Sequence, residues 1–192
     1  AAAFNQPIGD WDVSSVDIMV SMFRGAVAFN QPIGDWDVSN VRFFNYMFAD
    51  SNFNQYIGDW DTSSAISIAW MFSRNPKFNQ DISTKQVHLL KEDGTVDTTY
   101  TAWDLSKVKD LKGAFYNRRM TDLGNDVIID KPMKIDFDIS KWNLDSNKID
   151  NPTSQPLTLS QHSFSKTENG VTSYLSLDDY HETTSEYKYG WV

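Results

Sequence analysis

Phe4-Asn-Gln-Pro-Ile-Gly-Asp-Trp-Asp-Val-Ser14 recurs letter for letter as Phe29 to Ser39, and with two changes as Phe53-Asn-Gln-Tyr-Ile-Gly-Asp-Trp-Asp-Thr-Ser63. The phenylalanines Phe4, Phe29, Phe53 and Phe78 lie 25, 24 and 25 residues apart. A fourth copy opens as Phe78-Asn-Gln-Asp-Ile-Ser83, breaks off, and resumes as Trp103-Asp-Leu-Ser-Lys-Val108, with Leu111, Ala114 and Phe115 following at the spacing of Met19, Met22 and Phe23. A fifth, degenerate copy is visible in Phe137-Asp-Ile-Ser-Lys-Trp142-Asn-Leu144. A period of this length means units that bury their apolar faces only by stacking on one another.

Two periodicities meet inside each unit. Trp11 and Val13 alternate with Asp10 and Asp12, the pattern of a strand with one face inward. Val16, Met19, Met22 and Phe23 then follow three, three and one residues apart, which predicts one side of a short helix or 3₁₀ turn, capped by Ser14 or Ser15. Gly9, Gly34 and Gly58 stand where a tight bend is expected. The fold class read from this is an α/β repeat solenoid, with short strands plus short helices or 3₁₀ turns in each coil of 24–25 residues and with β-hairpin insertions.

The pattern Phe-Asn-Gln-x-Ile-x-x-Trp-Asp-Val-Ser-x-Val-x-x-Met-x-x-Met-Phe, carried by Phe4–Phe23, Phe29–Phe48 and Phe53–Phe72, resembles the repeats of BspA-type leucine-rich-repeat surface proteins of bacteria. The resemblance implies that this α/β solenoid is right-handed and of the leucine-rich-repeat type, on a secreted or cell-surface protein, used for adhesion or recognition.

Composition narrows the partners. The 192 residues carry 26 acidic and 17 basic side chains, a net charge of −9, and no cysteine. An acidic balance disfavours nucleic acid and anionic membranes, which dock basic surfaces. The absence of cysteine removes disulfides, thiolate metal sites and thiol nucleophiles. The most apolar run, 65–72, falls far short of the ~20 residues of a membrane span, so direct insertion is not expected. No basic stretch followed by an apolar one opens the chain, so a secretory signal is expected to be absent or already removed.

The array is expected over residues 1–150, with insertions at about 84–101 and 118–136, then a Pro-containing linker at 151–156 and a β-rich cap or following domain at 157–192. Lys91-Glu-Asp-Gly94 predicts a hairpin turn between Val87–Leu90 and Thr95–Tyr100; Asp130-Lys-Pro132 predicts another between Val127–Ile129 and Met133–Phe137. In the tail, Glu168-Asn-Gly170 marks a third, between Leu157–Ser160 and Val171–Leu177. Insertions in repeat proteins often lie on the binding face, although they also serve to cover the end of an array. Because Ala1-Ala-Ala enters a complete repeat at once, the chain is expected to be a piece of a longer surface protein.

The candidate ligand-binding residues are the repeated acids Asp10, Asp12, Asp35, Asp37, Asp59 and Asp61, which alternation places opposite the core. Neighbouring coils would bring them together, where they repel unless solvated or bridged by a cation, for which calcium is the natural choice. Their spacing matches no defined calcium loop, which favours a structural role with one acid of each pair accepting backbone hydrogen bonds at a corner. No metal ligand set is assigned, and calcium stands as the only cofactor considered. Asn5, Asn30, Asn54 and Asn79 read as a hydrogen-bonded ladder, and the tryptophans as core.

Catalysis has no local anchor: His88, His162 and His181 are scattered, and no nucleophile-elbow, phosphate-cradle or dinucleotide string occurs. The expectation is therefore a non-catalytic extracellular or cell-surface module that binds a protein or glycan on another cell or matrix. Two rivals stand beside it. One is a structural spacer or filament unit with end-to-end self-association, and the other is a polysaccharide-degrading enzyme with a carboxylate pair about 5–10 Å apart.

Overall fold

In the computed structural model the repeats form stacked coils: coil 1 spans residues 4–28, coil 2 spans 29–52, coil 3 spans 53–77 and coil 4 spans 78–115. The structure describes residues 2–111, 113–115 and 142–143, together with the backbone of the strand segments 118–119, 129–130, 163–168, 171–181 and 186–191. Most of the fifth repeat copy, the linker at 151–156 and the strands expected at 133–137 and 157–160 lie outside these residues.

Each coil is a succession of tight turns. Trp11, Trp36 and Trp60 donate their backbone N–H to the carbonyls of Ile8, Ile33 and Ile57, closing a turn at the Gly-Asp step. Val16, Val41, Ala65 and Val108 close the next turn onto Val13, Val38, Thr62 and Leu105 at 2.8–3.0 Å. From residue 19 onward the amides divide in two directions. Met19, Ser21, Phe23 and Gly25 donate to Phe43, Asn45, Met47 and Ala49 of coil 2, while Met22, Arg24 and Ala26 donate back three residues within coil 1. Coil 2 repeats the arrangement, with Phe44, Tyr46, Phe48 and Asp50 donating to Ser67, Ala69, Met71 and Ser73 of coil 3.

This pattern overturns the expected α/β solenoid of the leucine-rich-repeat type. Among the described residues there is no helix, and the repeats contribute single parallel bridges, Ile18–Phe43, Phe43–Ser67 and Ser67–Asp110, in place of strands. An α-helix needs every amide for the carbonyl four residues back, whereas here alternate amides leave the coil. Ser21, Tyr46 and Trp70 accordingly adopt φ of 57–59°, and Gly25, Asp50 and Arg74 φ of 53–69°. Left-handed residues at every fourth position break any helix, yet still return the side chains three, three and one apart to the core. That is why Val41, Phe44, Met47 and Phe48 are wholly buried in a segment that looks helical by spacing. The Asp-Trp-Asp step alternates in and out in coils 2 and 3 without pairing as a strand, whereas Trp11 of coil 1, expected in the core, is exposed.

Stacking is set by identical residues meeting one coil apart. Phe4, Phe29, Phe53 and Phe78 form one aromatic ladder with centroids 5.7–6.4 Å apart. Phe23, Phe48, Phe72 and Phe115 form a second at 5.3–5.7 Å, and the two interlock through contacts of 3.9–4.1 Å. Each core indole donates to a carbonyl of an earlier coil: Trp36 to Ile8, Trp60 to Ile33, Trp103 to Ile57 and Trp142 to Ile82, at 2.8–3.1 Å. The asparagine ladder runs alongside, Asn30, Asn54 and Asn79 donating their backbone N–H to the side-chain oxygens of Asn5, Asn30 and Asn54 at 2.8–3.0 Å. At Gly34 and Gly58 the coils approach so closely that an added Cβ would meet the carbonyl oxygens of Tyr56 and Asp81 at 2.7 and 2.5 Å.

The first insertion is a projecting hairpin, β1 (Lys85–Leu90) and β2 (Val96–Ala102), paired antiparallel with a shift between Leu89 and Leu90. In the second insertion β3 (Arg118–Arg119) pairs with β4 (Ile129–Asp130). Ile129 and Asp130 thus pair backwards in the chain, while Lys131 and Pro132 of the expected turn lie outside the described residues. The tail carries β5 (Ser163–Glu168), β6 (Val171–His181) and β7 (Glu186–Trp191) as one antiparallel sheet in chain order. No helix of the described residues is long and apolar enough to cross a membrane.

Replacing Trp60 by Phe removes the indole donor from the buried Ile33 carbonyl, which keeps the Trp36 amide, and is expected to cost about 1 kcal/mol from that hydrogen bond alone. Trp11, 53 % exposed on coil 1, should tolerate the same change to within about 0.5 kcal/mol. Urea unfolding of the two variants measures the difference.

Candidate functional site

The six repeated aspartates divide by position within the Asp-Trp-Asp step. Asp12, Asp37 and Asp61 each accept the backbone N–H of the serine two residues on, Ser14, Ser39 and Ser63, at 2.9–3.0 Å. Ser14 and Ser39 add a hydroxyl donor at 2.6 Å. Hydrogen bonds from the Ser14 hydroxyl and amide hold the Asp12 carboxyl below the usual carboxylate range. These three acids shape the corner that leads into the next turn, in the manner of an Asx turn.

Asp10, Asp35 and Asp59 precede the tryptophans, and the coils they sit on treat them differently. Asp10 and Asp35 are exposed. Asp59 is tied to the hairpin: its Oδ1 accepts from Lys85 Nζ and from the Tyr56 hydroxyl, both at 2.8 Å, and Lys85 Nζ also lies 2.6 Å from the Tyr56 oxygen and over its ring. Burial pushes the Asp59 carboxyl up, but the hydrogen bonds from Lys85 and Tyr56 and the lysine charge outweigh it, and the net shift is downward. From β2 the Tyr100 hydroxyl donates to the Asp59 carbonyl at 2.7 Å, and Thr84 at the foot of β1 donates to the Trp103 carbonyl at 2.6 Å. Burial and then the Asp59 charge raise the Tyr100 hydroxyl's pKa.

These anchors hold the hairpin over the outer faces of coils 2 and 3 and enclose a cleft of about 480 Å³. Asp35, Asp37, Asp59 and Asp61 line one side, and Val87, Leu89 and Tyr100 line the other. Four of the six acids singled out in the sequence therefore share one groove, while Asp10 and Asp12 on coil 1 lie outside its lining. Among the described residues no three Asp, Glu, His or Cys side chains come together to hold a metal ion, calcium included. The groove's electrostatic character is anionic, with Lys85 engaged by Asp59.

Periodicity did not reveal Tyr56, Lys85 or the inward face of β1 and β2. One signal was available: Tyr56 stands where the first two copies have Pro7 and Pro32, in the coil that carries the partner of Lys85.

The family model described as "Mycoplasma protein of unknown function, DUF285" matches residues 1–85 and again 49–126. The chain belongs to this family. Neither the curated proteins nor the solved structures contain a match. The two DUF285 matches overlap on 49–85, so coil 3 and the start of coil 4 fit the family pattern in both matches, as expected of a sequence that repeats.

The Lys85–Asp59 pair gives a pH test. Because the folded Asp59 has a depressed pKa, its pairing stabilises the fold above the ordinary value of 3.8 and is lost as pH falls through the lower folded value. Lys85, raised above 10.5, sets the alkaline limit. Both side chains are more than a third exposed, at 36 % and 44 %, which limits the contribution to about 1 kcal/mol or less. Lys85→Met should lower the urea midpoint by a constant amount between neutral pH and about pH 5, with the gap from wild type closing below the Asp59 value.

Proposed function

We propose that this protein is a non-catalytic recognition or adhesion module, displayed outside the cell, that binds a protein or glycan on another cell or matrix. The observation that supports it is the cleft between the carboxylate faces of coils 2 and 3 and the apolar face of the projecting hairpin. A groove that combines fixed charge with uncovered apolar surface suits the binding of a ligand carrying both kinds of group. The residues bordering it hold one another in a charge-paired anchor, Asp59, Tyr56 and Lys85, which fits a structural role better than proton transfer. The likeness of the Phe-Asn-Gln and Trp-Asp-Val-Ser motifs to BspA-type surface repeats supports the extracellular setting, as a relation of sequence motif.

An array of glycans and matrix proteins probed with the intact chain, in calcium and in chelator, tests the reading. Saturable binding to one ligand class, equal in both conditions and without consumption of ligand, is the expected result. Turnover of a glycan, abolished by replacing a single acid, would establish the enzyme instead.

A second reading rests on coil 1, where Trp11, Ile18, Val20, Met22 and Val27 are 38–58 % exposed, although the equivalent Trp36, Met47, Trp60 and Met71 are buried. Such a face favours end-to-end stacking of coils as a spacer or filament. Light scattering over a concentration series should show growth of particles that Met22→Lys suppresses; a concentration-independent monomer excludes this assembly.

A further inference from the structure

The hairpin over the groove has two unlike faces. By the β1–β2 register, Lys85 pairs with Ala102, Val87 with Tyr100 and Leu89 with Thr98 on one face, and Gln86 with Thr101 and His88 with Thr99 on the other. The second face is polar and satisfied internally: Gln86 donates to the Thr101 hydroxyl at 2.7 Å, and His88 Nδ1 lies 2.8 Å from that of Thr99. The first face is closed at its foot, where Lys85 and Tyr100 meet coil 3, and opens toward the tip. There Val87 is half-buried and Leu89 is 50 % exposed, although both look into the cleft. Ordinarily the apolar side of a two-stranded ribbon packs against its own protein. Here about 480 Å³ separates it from the coils.

Across that space stand acids that nothing in the described structure neutralises. Lys85 is bound to Asp59, and Asp37 and Asp61 accept the serine amides through one oxygen each. Asp35 borders the cleft and is exposed. An occupant must therefore be apolar on the hairpin side and cationic on the coil side. An extended peptide that alternates apolar and basic residues has that form, because successive side chains point in opposite directions.

Building on the recognition reading above, we propose that the groove between β1–β2 and the outer faces of coils 2 and 3 binds an extended peptide segment of alternating basic and apolar residues. Lysine or arginine of the segment faces Asp35, Asp37 and Asp61, while its apolar residues pack on Val87 and Leu89. A neutral glycan would leave the carboxylates without counter-charge.

The experiment uses the full chain and an end-blocked hexapeptide of alternating lysine and valine, labelled for fluorescence anisotropy. Binding should be saturable and should weaken as salt rises, since the partly exposed charges are screened. Asp35→Asn and Leu89→Ser should each raise Kd about fivefold. Asp10→Asn, at the equivalent position of coil 1 outside the groove, should leave Kd unchanged. Thermal melting confirms that the variants remain folded. Equal binding of a glutamine–valine hexapeptide, competition by the neutral oligosaccharide cellohexaose, or equal effects of Asp10→Asn and Asp35→Asn would overturn the proposal. If a ligand from the array binds, but with an affinity indifferent to both Asp35→Asn and Leu89→Ser, the groove assignment fails and the broader recognition reading stands. If neither the array nor the peptide shows binding, both fail.

Discussion

Alternate amides of each return segment point along the stack, and a carbonyl of the next coil must be there to meet them. The rest of the architecture follows from that requirement. A coil cannot satisfy Met19, Ser21, Phe23 and Gly25 from within, so it cannot become a helix and cannot stand alone. Backbones held in this register approach to about a strand spacing. Side chains at equivalent positions are then forced into ladders, and phenylalanine, flat and able to stack with an offset, fills two of them. Gly34 and Gly58 are glycines for the same reason, since the neighbouring coil's carbonyl occupies the place of a Cβ.

The groove arises where this regularity is broken. On coil 1, outside the lining of the cleft, the Asp-Trp-Asp face pairs an exposed Asp10 with the turn-forming Asp12. Tyr56 in place of proline, together with Lys85 at the foot of the hairpin, turns Asp59 into an anchor and converts the equivalent face of coils 2 and 3 into the side of a cleft. Lys85 also offsets part of the repulsion among acids brought together by stacking. Identical coils supply the acids, and a departure from identity supplies the enclosure.

Much of this was legible in the residues. The register of the stack, the buried tryptophans of coils 2 to 4, the asparagine ladder and the turn at Lys91–Gly94 all follow from repetition or from strong local turn chemistry. The helix was misread because a period near three and a half is not unique to helices: successive tight turns with left-handed residues at Ser21 and Gly25 return side chains inward at the same intervals. Spacing records which side chains reach the core. It does not record where the amides go. The pairing of Arg118–Arg119 with Ile129–Asp130 was missed for a related reason, since the apolar run Val127–Ile129 marks one strand without naming its partner.

By itself the sequence determined that units of 24–25 residues stack, which residues of coils 2 to 4 face inward, and that six acids share the outer face. Those properties repeat with the chain, so a linear reading captures them. Only the tertiary structure decided that the coils are chains of turns without helices, and that Asp35, Asp37, Asp59 and Asp61 look across a cleft at Val87 and Leu89. Each of these depends on groups one coil apart, or on a hairpin folding back over residues dozens of positions earlier. Neither separation leaves a local periodicity to read.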